Sequence, residues 1–305
     1  MSSTAQSANS ANRARNFLWA TFFVMGISSM AWVPRIPEIK EQLNYGDGAF
    51  GFIILAGALG SVLGAQISGR AIHLIASRTF MRLTSITMSI GIYTMGSAHG
   101  SSTLVIGLLL TGLSFAALDV AANVQAMAIE KITKARYMSS FHAMWSIGAF
   151  AVTLVGGILA RILTPSEHLK SLALFAFVCY QFTITWLLPA DLDGHKGEAH
   201  ESTDAKIPLF GKKVITLWAL GIGLMASFIP EAGIYDWSGI LLKEHMNVAK
   251  GATAAAATVY SLGMIVSRFL GDRWFERWGH QKTVQYGGYI AGVSLGVSLM
   301  IGIPL

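Results

Sequence analysis

The chain alternates long apolar segments with shorter polar ones, and this pattern constrains its fold more than any other feature. Crossing the hydrocarbon core of a bilayer takes roughly 17–25 mostly apolar residues. Nine segments fit, at residues 17–33, 50–68, 81–97, 103–126, 139–159, 171–188, 214–234, 252–270 and 284–303. Because lipid offers no partner to an unpaired backbone group, and the segments are too long for barrel strands, each is predicted to be a helix.

Composition supports the same class. Only 12% of the residues are charged and 53% are hydrophobic, whereas a soluble domain is typically about one quarter charged. The net charge of +6 comes from basic residues that alternate with apolar segments and form no single patch. Nucleic acid is therefore not an expected partner. The sequence predicts an all-α integral membrane protein whose main partner is the lipid bilayer.

The distribution of basic residues predicts the orientation of the helices. Of the 22 Lys and Arg residues, 16 fall in one set of loops and 6 in the opposite set. The richer side is cytoplasmic by the positive-inside rule, which places the N-terminus in the cytoplasm. In this count Arg268 belongs to the cytoplasmic loops, while Arg35 and Lys40 belong to the opposite side.

The polar segments divide the chain into four parts. Residues 1–16 are predicted to be a disordered cytoplasmic N-terminus, and 17–188 a bundle of six helices. Residues 189–213 have mixed charge without apolar periodicity and read as a flexible cytoplasmic linker. Residues 214–305 form a set of three helices. His195 and His200 in the linker match no metal-binding spacing, and Cys179 is the single cysteine, so neither a metal nor a cofactor is expected.

Two helices carry glycines at intervals of four residues. Gly60 and Gly64 lie in the second segment, and Gly288, Gly292 and Gly296 lie in the ninth. Small residues at this spacing let helix backbones approach closely. We expect close packing at both places rather than a hinge.

Asp119 is the leading candidate functional residue. It lies near the middle of the fourth segment, and Asn123 follows four residues later on the same helix face. Low-dielectric surroundings disfavour the charged carboxylate, so a carboxyl group here can take up and release a proton. The alternative is a structural aspartate that is permanently bonded to neighbouring helices.

Other polar residues near apolar segments are candidates for solute contact. Glu231 and Asp236 follow Pro230, where the helix is predicted to break and line a cavity. His142, in the fifth segment, could relay protons, bind solute or form a structural bond. Trp145 could stack on a solute, although a core or interfacial role is the alternative. The chain lacks the local motifs of hydrolases, metalloproteases and phosphate-binding loops, so it is not expected to be an enzyme.

One loop carries a family signal. Glu276, Arg277 and Gly279 match the end of a G-x-x-x-D-R-x-G-R-R loop. The loop between the second and third segments retains Gly69 of that pattern but departs from it afterwards. With six helices, a polar linker and a further helical set, the chain resembles the major facilitator superfamily. The resemblance implies two six-helix halves, of which about nine helices are seen here, and a conformational latch at these four residues.

A finer resemblance is to the fucose-permease-like, YbjJ-like branch of bacterial inner-membrane proteins. It is carried by the segments Trp32–Pro37, Asp119–Asn123 and Asp236–Ser238. It implies a multi-pass inner-membrane protein in which Asp119 couples transport to protons. Those permeases also carry an acid in the first helix, where this chain has Ser28 and Ser29.

Together these observations predict a secondary active transporter that moves a small polar solute, such as a sugar, by proton symport and alternating access. Asp119 would carry the proton, and the solute would contact Asn123, His142, Trp145, Glu231 and Asp236. The alternatives are proton-driven efflux of drugs or metabolites, and a membrane protein or inactive fragment that does not transport. Solute and protons are the expected small partners, and a monomer is the expected state.

The orientation can be tested with reporter fusions. Fusions after Arg82 and Arg136 should report the cytoplasm, and fusions near His99 and Lys243 the opposite side, because basic loops are retained in the cytoplasm. Paired alkaline phosphatase and fluorescent protein fusions measure this directly. Inversion at two or more of the sites would contradict the orientation.

Overall fold

The computed structural model describes residues 3–195, 211 and 214–301, and these residues are almost entirely helical. The helices are α1 (Ser3–Ser29), α2 (Ile36–Gln42), α3 (Asp47–Ile75), α4 (Ser77–Gly96), α5 (Ser101–Thr133), α6 (Met138–Leu159), α7 (Pro165–Ile184), α8 (Ile215–Glu244) and α9 (Ala255–Ile301). Short 3₁₀ helices at Val33–Arg35 and Ala252–Ala254 precede α2 and α9. Every predicted segment falls largely within a helix, which confirms the all-α prediction.

The first seven helices form an N-terminal bundle, in which α5 is central. Helix α5 packs along α3 and α4, α1 packs along α6, and α4 packs along α7. Helices α8 and α9 make up a second helical set, the C-terminal helices. Helix α9 packs mainly on α6 of the N-terminal bundle. The interface between the two sets therefore runs along α6.

Six of the described helical stretches are long and apolar enough to cross a membrane, judged by length and composition alone. The final part of α9, which contains the ninth predicted segment, is not among them. Helices α4 and α7 are not among them either, although both were predicted to span. Each is only 20 residues long, and each carries charged residues in its first turns. Arg78 and Arg82 lie in the first two turns of α4, and Glu167 and Lys170 lie in the first two turns of α7.

The glycines of α3 do allow close packing. A Cβ atom at Gly60 would overlap the carbonyl oxygen of Leu109 on α5, and one at Gly64 would overlap that of Leu113. Helix α5 returns the contact, because a Cβ at Gly112 would overlap the Gly57 carbonyl. The two backbones therefore touch along two turns, as the spacing predicts.

The corresponding prediction for the ninth segment is not matched. Nothing in the described part of the chain lies within 4 Å of a Cβ built at Gly288, Gly292 or Gly296. These glycines lie on the final part of α9, whose described side chains are mostly exposed. Spacing alone therefore did not distinguish a packed glycine row from an exposed one.

The N-terminus differs from the prediction of disorder over residues 1–16. Helix α1 already begins at Ser3, and Ala11 and Ala14 are fully buried in the core. The sequence is polar here because one face of the helix is exposed, while the small alanines face the bundle.

The first residues of the linker are also ordered. Asp193 is 1% exposed, and its Oδ2 accepts hydrogen bonds from the backbone nitrogen of Ser77 at 2.9 Å and from its hydroxyl at 2.6 Å. Gln125 of α5 donates to the same hydroxyl at 2.8 Å. Asp193 thus caps the start of α4, which fixes residues 189–195 against the bundle. Residues 196–210, including His200, lie outside the described residues.

Arg35 is fully buried at the end of the bundle opposite the linker. Its Nε donates to His168 Nδ1 at 2.9 Å, and its Nη1 donates to Glu38 Oε1 and to the Leu163 carbonyl, each at 3.0 Å. The sequence analysis treated Arg35 as a loop charge. The structure instead uses it to join the segment after α1 to α7, with Glu38 as its counter-ion.

The contact between α3 and α5 predicts a specific sensitivity. Gly60→Ala should destabilise the protein by about 1–3 kcal/mol, because the added methyl group meets backbone that cannot move aside. Gly223→Ala on α8 is the matched control, since nothing lies within 4 Å of its Cβ. Alanine there should stabilise by about 0.5–1 kcal/mol through helix propensity. Unfolding of both variants in detergent micelles measures the difference, and equal effects would contradict the packing argument.

Candidate functional site

Asp119 and Asn123 lie half-buried on one face of α5, as predicted. The Asn123 amide nitrogen Nδ2 donates to the Asp119 carbonyl oxygen at 2.9 Å and to the carboxylate oxygen Oδ2 at 3.2 Å. His142 of α6 is near enough for its ring and the Asp119 carboxyl to interact electrostatically. Two helices of the N-terminal bundle thus bring a carboxyl and an imidazole to one place.

Arg268 of α9 reaches the same place from the C-terminal helices. Its Nη1 donates to the His142 carbonyl oxygen and to the hydroxyl of Ser146. Its guanidinium carbon lies 5.7 Å from the centroid of the Trp145 ring, in a cation–π contact. Arg268 is therefore a half-buried interface residue within a helix, and its assignment to a cytoplasmic loop was wrong.

Glu231 completes the group of ionisable residues, from α8. It is half-buried, and it and Arg268 interact electrostatically. The salt bridges among the described residues do not include one between Arg268 and any carboxylate. Asp119, His142, Arg268 and Glu231 therefore form what we call the interface cluster, in which two members come from each helical set.

Helix α8 remains continuous through Pro230, so the predicted break is absent over Ile215–Glu244. Tyr235 lies on the turn after Glu231, and its hydroxyl is 3.0 Å from the Ser261 hydroxyl of α9. Asp236 is not brought into the interface cluster, because no charged group in the described residues acts on it. Its predicted part in solute contact stays a prediction without support from this arrangement.

Trp145 is buried beneath the cluster, at 9% exposure. Its indole lies 6.4 Å from Phe115 of α5, centroid to centroid, and flanks Arg268. The indole Nε1 is buried and has no hydrogen-bond partner among the described residues. A buried donor without a partner is uncommon.

A cavity of about 600 Å³ lies beside the cluster, between α6 and α9. Its polar lining includes Ser139, His142, Arg268 and Thr283, and its aromatic lining includes Trp274, Trp278 and Tyr286. The rings of Trp274 and Trp278 are stacked at 6.1 Å. The volume suits a small organic molecule, with flat apolar faces and a few polar groups.

The opposite end of the interface is closed by ion pairs. Lys40 contacts Glu244, Lys243 contacts Glu41, and Lys250 lies 3.7 Å from Glu38. Next to them the backbones of Gly157 and Gly251 pack so tightly that a Cβ at either would overlap the other residue. The structure is therefore closed at the end predicted to be periplasmic, while the cavity lies towards the end predicted to be cytoplasmic.

The four predicted latch residues are not drawn together. Glu276 and Arg277 are exposed, and the salt bridges of the described residues include neither. A Cβ atom added at Gly69 would meet no described atom within 4 Å. Gly279 has φ 78° and ψ 161° and divides α9 into segments 255–278 and 280–301. The latch remains a prediction.

The loop between α3 and α4 has the same backbone conformation with a different residue. Ala76 has φ 66° and ψ 151°, in a region that is almost restricted to glycine. It occupies the position of the family loop that corresponds to Gly279. The backbone turn of the loop is therefore kept where the sequence pattern is lost.

The site also contains residues that the sequence analysis missed, chiefly Arg268 and Ser146. A signal for Arg268 was present, because it follows an apolar run and is itself followed by Phe269 and Leu270. An ionisable residue in such surroundings is a functional candidate by default. Ser146 carried no local signal, since its importance depends on which helices meet.

Comparison with known proteins identifies the family. The family model of the Major Facilitator Superfamily matches residues 18–305. The chain belongs to this superfamily. A solved structure of the nucleoside transporter NupG superposes with a TM-score of 0.60 at 12% identity, covering 89% of this chain and 69% of that one. This similarity supports the fold.

Curated relatives of this superfamily member are also transporters by name. An uncharacterized MFS-type transporter of Yersinia pestis is 24% identical over 92% of this chain and 71% of its own length. The transporter y4wD of Sinorhizobium fredii is 28% identical over 89% of this chain and 70% of its own length. The human sodium-dependent glucose transporter 1 is 26% identical over 50% of this chain and 30% of its own length.

The ion pairs at the closed end predict a conformational shift. Replacing Glu41 and Glu244 together by alanine should favour opening of that end by roughly 2- to 30-fold, since each partly exposed pair contributes about 0.2–1 kcal/mol. Ala254→Cys, buried beside Gly157 in a Cys179→Ser background, reports opening through its labelling rate with an impermeant thiol reagent. The exposed Asp191→Ala at the other end is the control. Unchanged labelling in the double variant would contradict a gating role.

Proposed function

We propose that this protein is a proton-coupled secondary active transporter of a small polar solute. The observation that carries the proposal is the interface cluster, in which Asp119 interacts with His142 of the same helical set, and Arg268 of the other set interacts with both His142 and Glu231. Ionisable groups are costly inside a membrane protein and usually mark a path for solute or protons. Placed between two bundles, they can sense the relative movement of those bundles.

The coupling follows from elementary electrostatics. A protonated Asp119 is neutral and can remain half-buried beside Asn123, whereas a charged one requires water or a cation. Movement of the C-terminal helices changes the distance between the Arg268 guanidinium and His142, which is the charged group that acts on Asp119. Each conformation therefore favours a different protonation state, and proton release is tied to the conformational change.

Solute would enter the cavity between α6 and α9. His142 and Ser139 offer hydrogen bonds there, and Trp274 and Trp278 offer flat apolar faces. The solute classes in the names of similar proteins, glucose and nucleosides, are rings that carry hydroxyl groups. Such molecules fit a lining of this kind, so sugars and nucleosides are the first probes to test.

Efflux by proton exchange is the second candidate, and the stretch from Gly148 to Gly157 bears on it. That part of α6 contains no proline, whereas antiporters of the family are expected to carry a glycine–proline signature there. This favours uptake over efflux.

The test is uptake of labelled D-glucose, D-glucuronate and uridine into proteoliposomes, with and without an imposed pH gradient. Asp119→Asn is nearly isosteric and cannot ionise. It should preserve exchange of the transported probe in the absence of a gradient and abolish accumulation driven by one. Asp119→Glu should restore part of that accumulation.

Asp191→Asn is the control, because Asp191 is an exposed acid outside the helices. It should accumulate solute as the unmodified protein does. If Asp119→Asn also concentrates solute normally, Asp119 is structural and coupling does not pass through it. If no probe is accumulated by the unmodified protein under any gradient, proton-coupled uptake of these solute classes is wrong.

A further inference from the structure

Arg268 is a half-buried cation in a helical stretch that could cross a membrane, and its hydrogen-bond and ring partners among the described residues are all uncharged. Its hydrogen bonds go to a backbone carbonyl and to the Ser146 hydroxyl, and its other contact is the Trp145 ring. Burying a cation with only neutral partners leaves much of its lost hydration uncompensated. Arg35 provides the internal comparison, because this buried arginine has the Glu38 carboxylate 3.0 Å away.

The described lining of the cavity beside Arg268 adds no negative charge to balance the guanidinium. Among the described residues that line it, Arg268 is the one that carries a permanent charge, and no Asp or Glu lines it. Asp119 of α5 and Glu231 of α8 belong to the interface cluster, but neither lines the cavity. A molecule in the cavity therefore meets the Arg268 guanidinium directly, while the Glu231 carboxylate that acts on Arg268 lies outside the described lining.

Arg268 also has nitrogens that can bind a solute. Among the described residues its hydrogen bonds, to the His142 carbonyl and the Ser146 hydroxyl, involve only Nη1. The other guanidinium nitrogens can therefore take an acceptor from a molecule in the cavity that Arg268 lines. An anionic oxygen is the strongest acceptor available.

We propose that the transported solute carries a single carboxylate, which binds Arg268 in the cavity between α6 and α9. This inference rests on the proposed function and names the chemical class of its solute. Arginine and a carboxylate form paired hydrogen bonds with matching geometry. One arginine balances one negative charge, which favours a monocarboxylate over a doubly charged phosphate. The stacked Trp274 and Trp278 favour a ring or other flat body on the same molecule.

The proposal also changes the charge that each cycle moves. A monoanion that enters with one proton carries no net charge, so symport would be electroneutral. A neutral sugar that enters with one proton would move one positive charge. Membrane potential should therefore have little effect on uptake of the carboxylate.

The experiment is direct binding to the detergent-purified protein, measured by quenching of tryptophan fluorescence and checked by calorimetry. The probes are matched pairs, D-glucuronate with D-glucose, benzoate with benzyl alcohol, and D-lactate with 1,2-propanediol, together with glucose 6-phosphate. The carboxylate of at least one pair should bind about 10- to 100-fold more tightly than its neutral partner, as expected for hydrogen bonds to a charged group. Glucose 6-phosphate should bind more weakly than that carboxylate.

Arg268→Gln should abolish the preference for the carboxylate, and Arg268→Lys should retain part of it. Arg273→Gln is the matched control, because Arg273 is exposed on the same helix and does not line the cavity. It should bind as the unmodified protein does. If Arg268→Gln fails to fold, the paired probes on the unmodified protein still decide the question.

The inference is overturned if the neutral partner binds as well as the carboxylate in every pair, or if no carboxylate binds. It is also overturned if folded Arg268→Gln keeps the preference, or if the phosphate binds best. Binding requires no proton gradient and leaves Asp119 unchanged. Failure of accumulation in the vesicle assay can therefore occur with carboxylate binding intact, and the two proposals can fail separately.

Discussion

An apolar solvent gives a charged or polar group no partner, so each such group inside these helices has to find one within the protein. This constraint makes the backbone helical and accounts for much of the polar bonding. Ser28 and Tyr180 illustrate it, because their hydroxyls lie 2.6 Å apart in the fully packed space between α1 and α7. Arg35, with His168 and Glu38, meets most of this need for a full charge, although its Nη2 has no hydrogen-bond partner among the described residues. Polar or charged groups whose hydrogen-bond or ion-pair partners are incomplete are therefore exceptions.

The interface cluster departs from the pattern of the N-terminal bundle. The groups that hold the N-terminal bundle together are bonded within it, as Asp193 is to Ser77 and Gln125 is to Leu188. The cluster instead draws its members from both helical sets. In the proposed transport cycle the two helical sets move relative to each other, so contacts between them cannot be permanent. Incomplete pairing is therefore the expected state of residues that exchange contacts during a transport cycle.

The sequence predicted the helices and the acid of α5 because both leave local signals. An apolar run of sufficient length has few alternatives, and Asp119 with Asn123 is a polar pair one turn apart in such a run. Arg268 was wrongly assigned to a cytoplasmic loop because it lies only two residues from the predicted end of its apolar segment, 252–270. Its true position depends on α9 continuing past it and packing on α6, and this contact joins residues 126 positions apart.

The glycine rows show the same limit of sequence-based prediction for helix packing. Those of α3 and α9 look equivalent in sequence, yet Gly60 touches α5 while Gly292 touches nothing within the described residues. Close approach needs a partner helix whose own small residue falls opposite, as Gly112 does for Gly57. That register is a property of two distant segments, so neither segment contains it alone.

Ala76 and Gly279 give the same turn to two loops of different sequence. They occupy corresponding positions of the family loop, and their backbone angles differ by only about a dozen degrees. Glycine adopts this geometry freely, whereas alanine holds it under strain. A strained turn persists only where the surrounding structure holds it. The packing of α3 and α4, rather than the residue at the turn, therefore fixes the geometry of their connection.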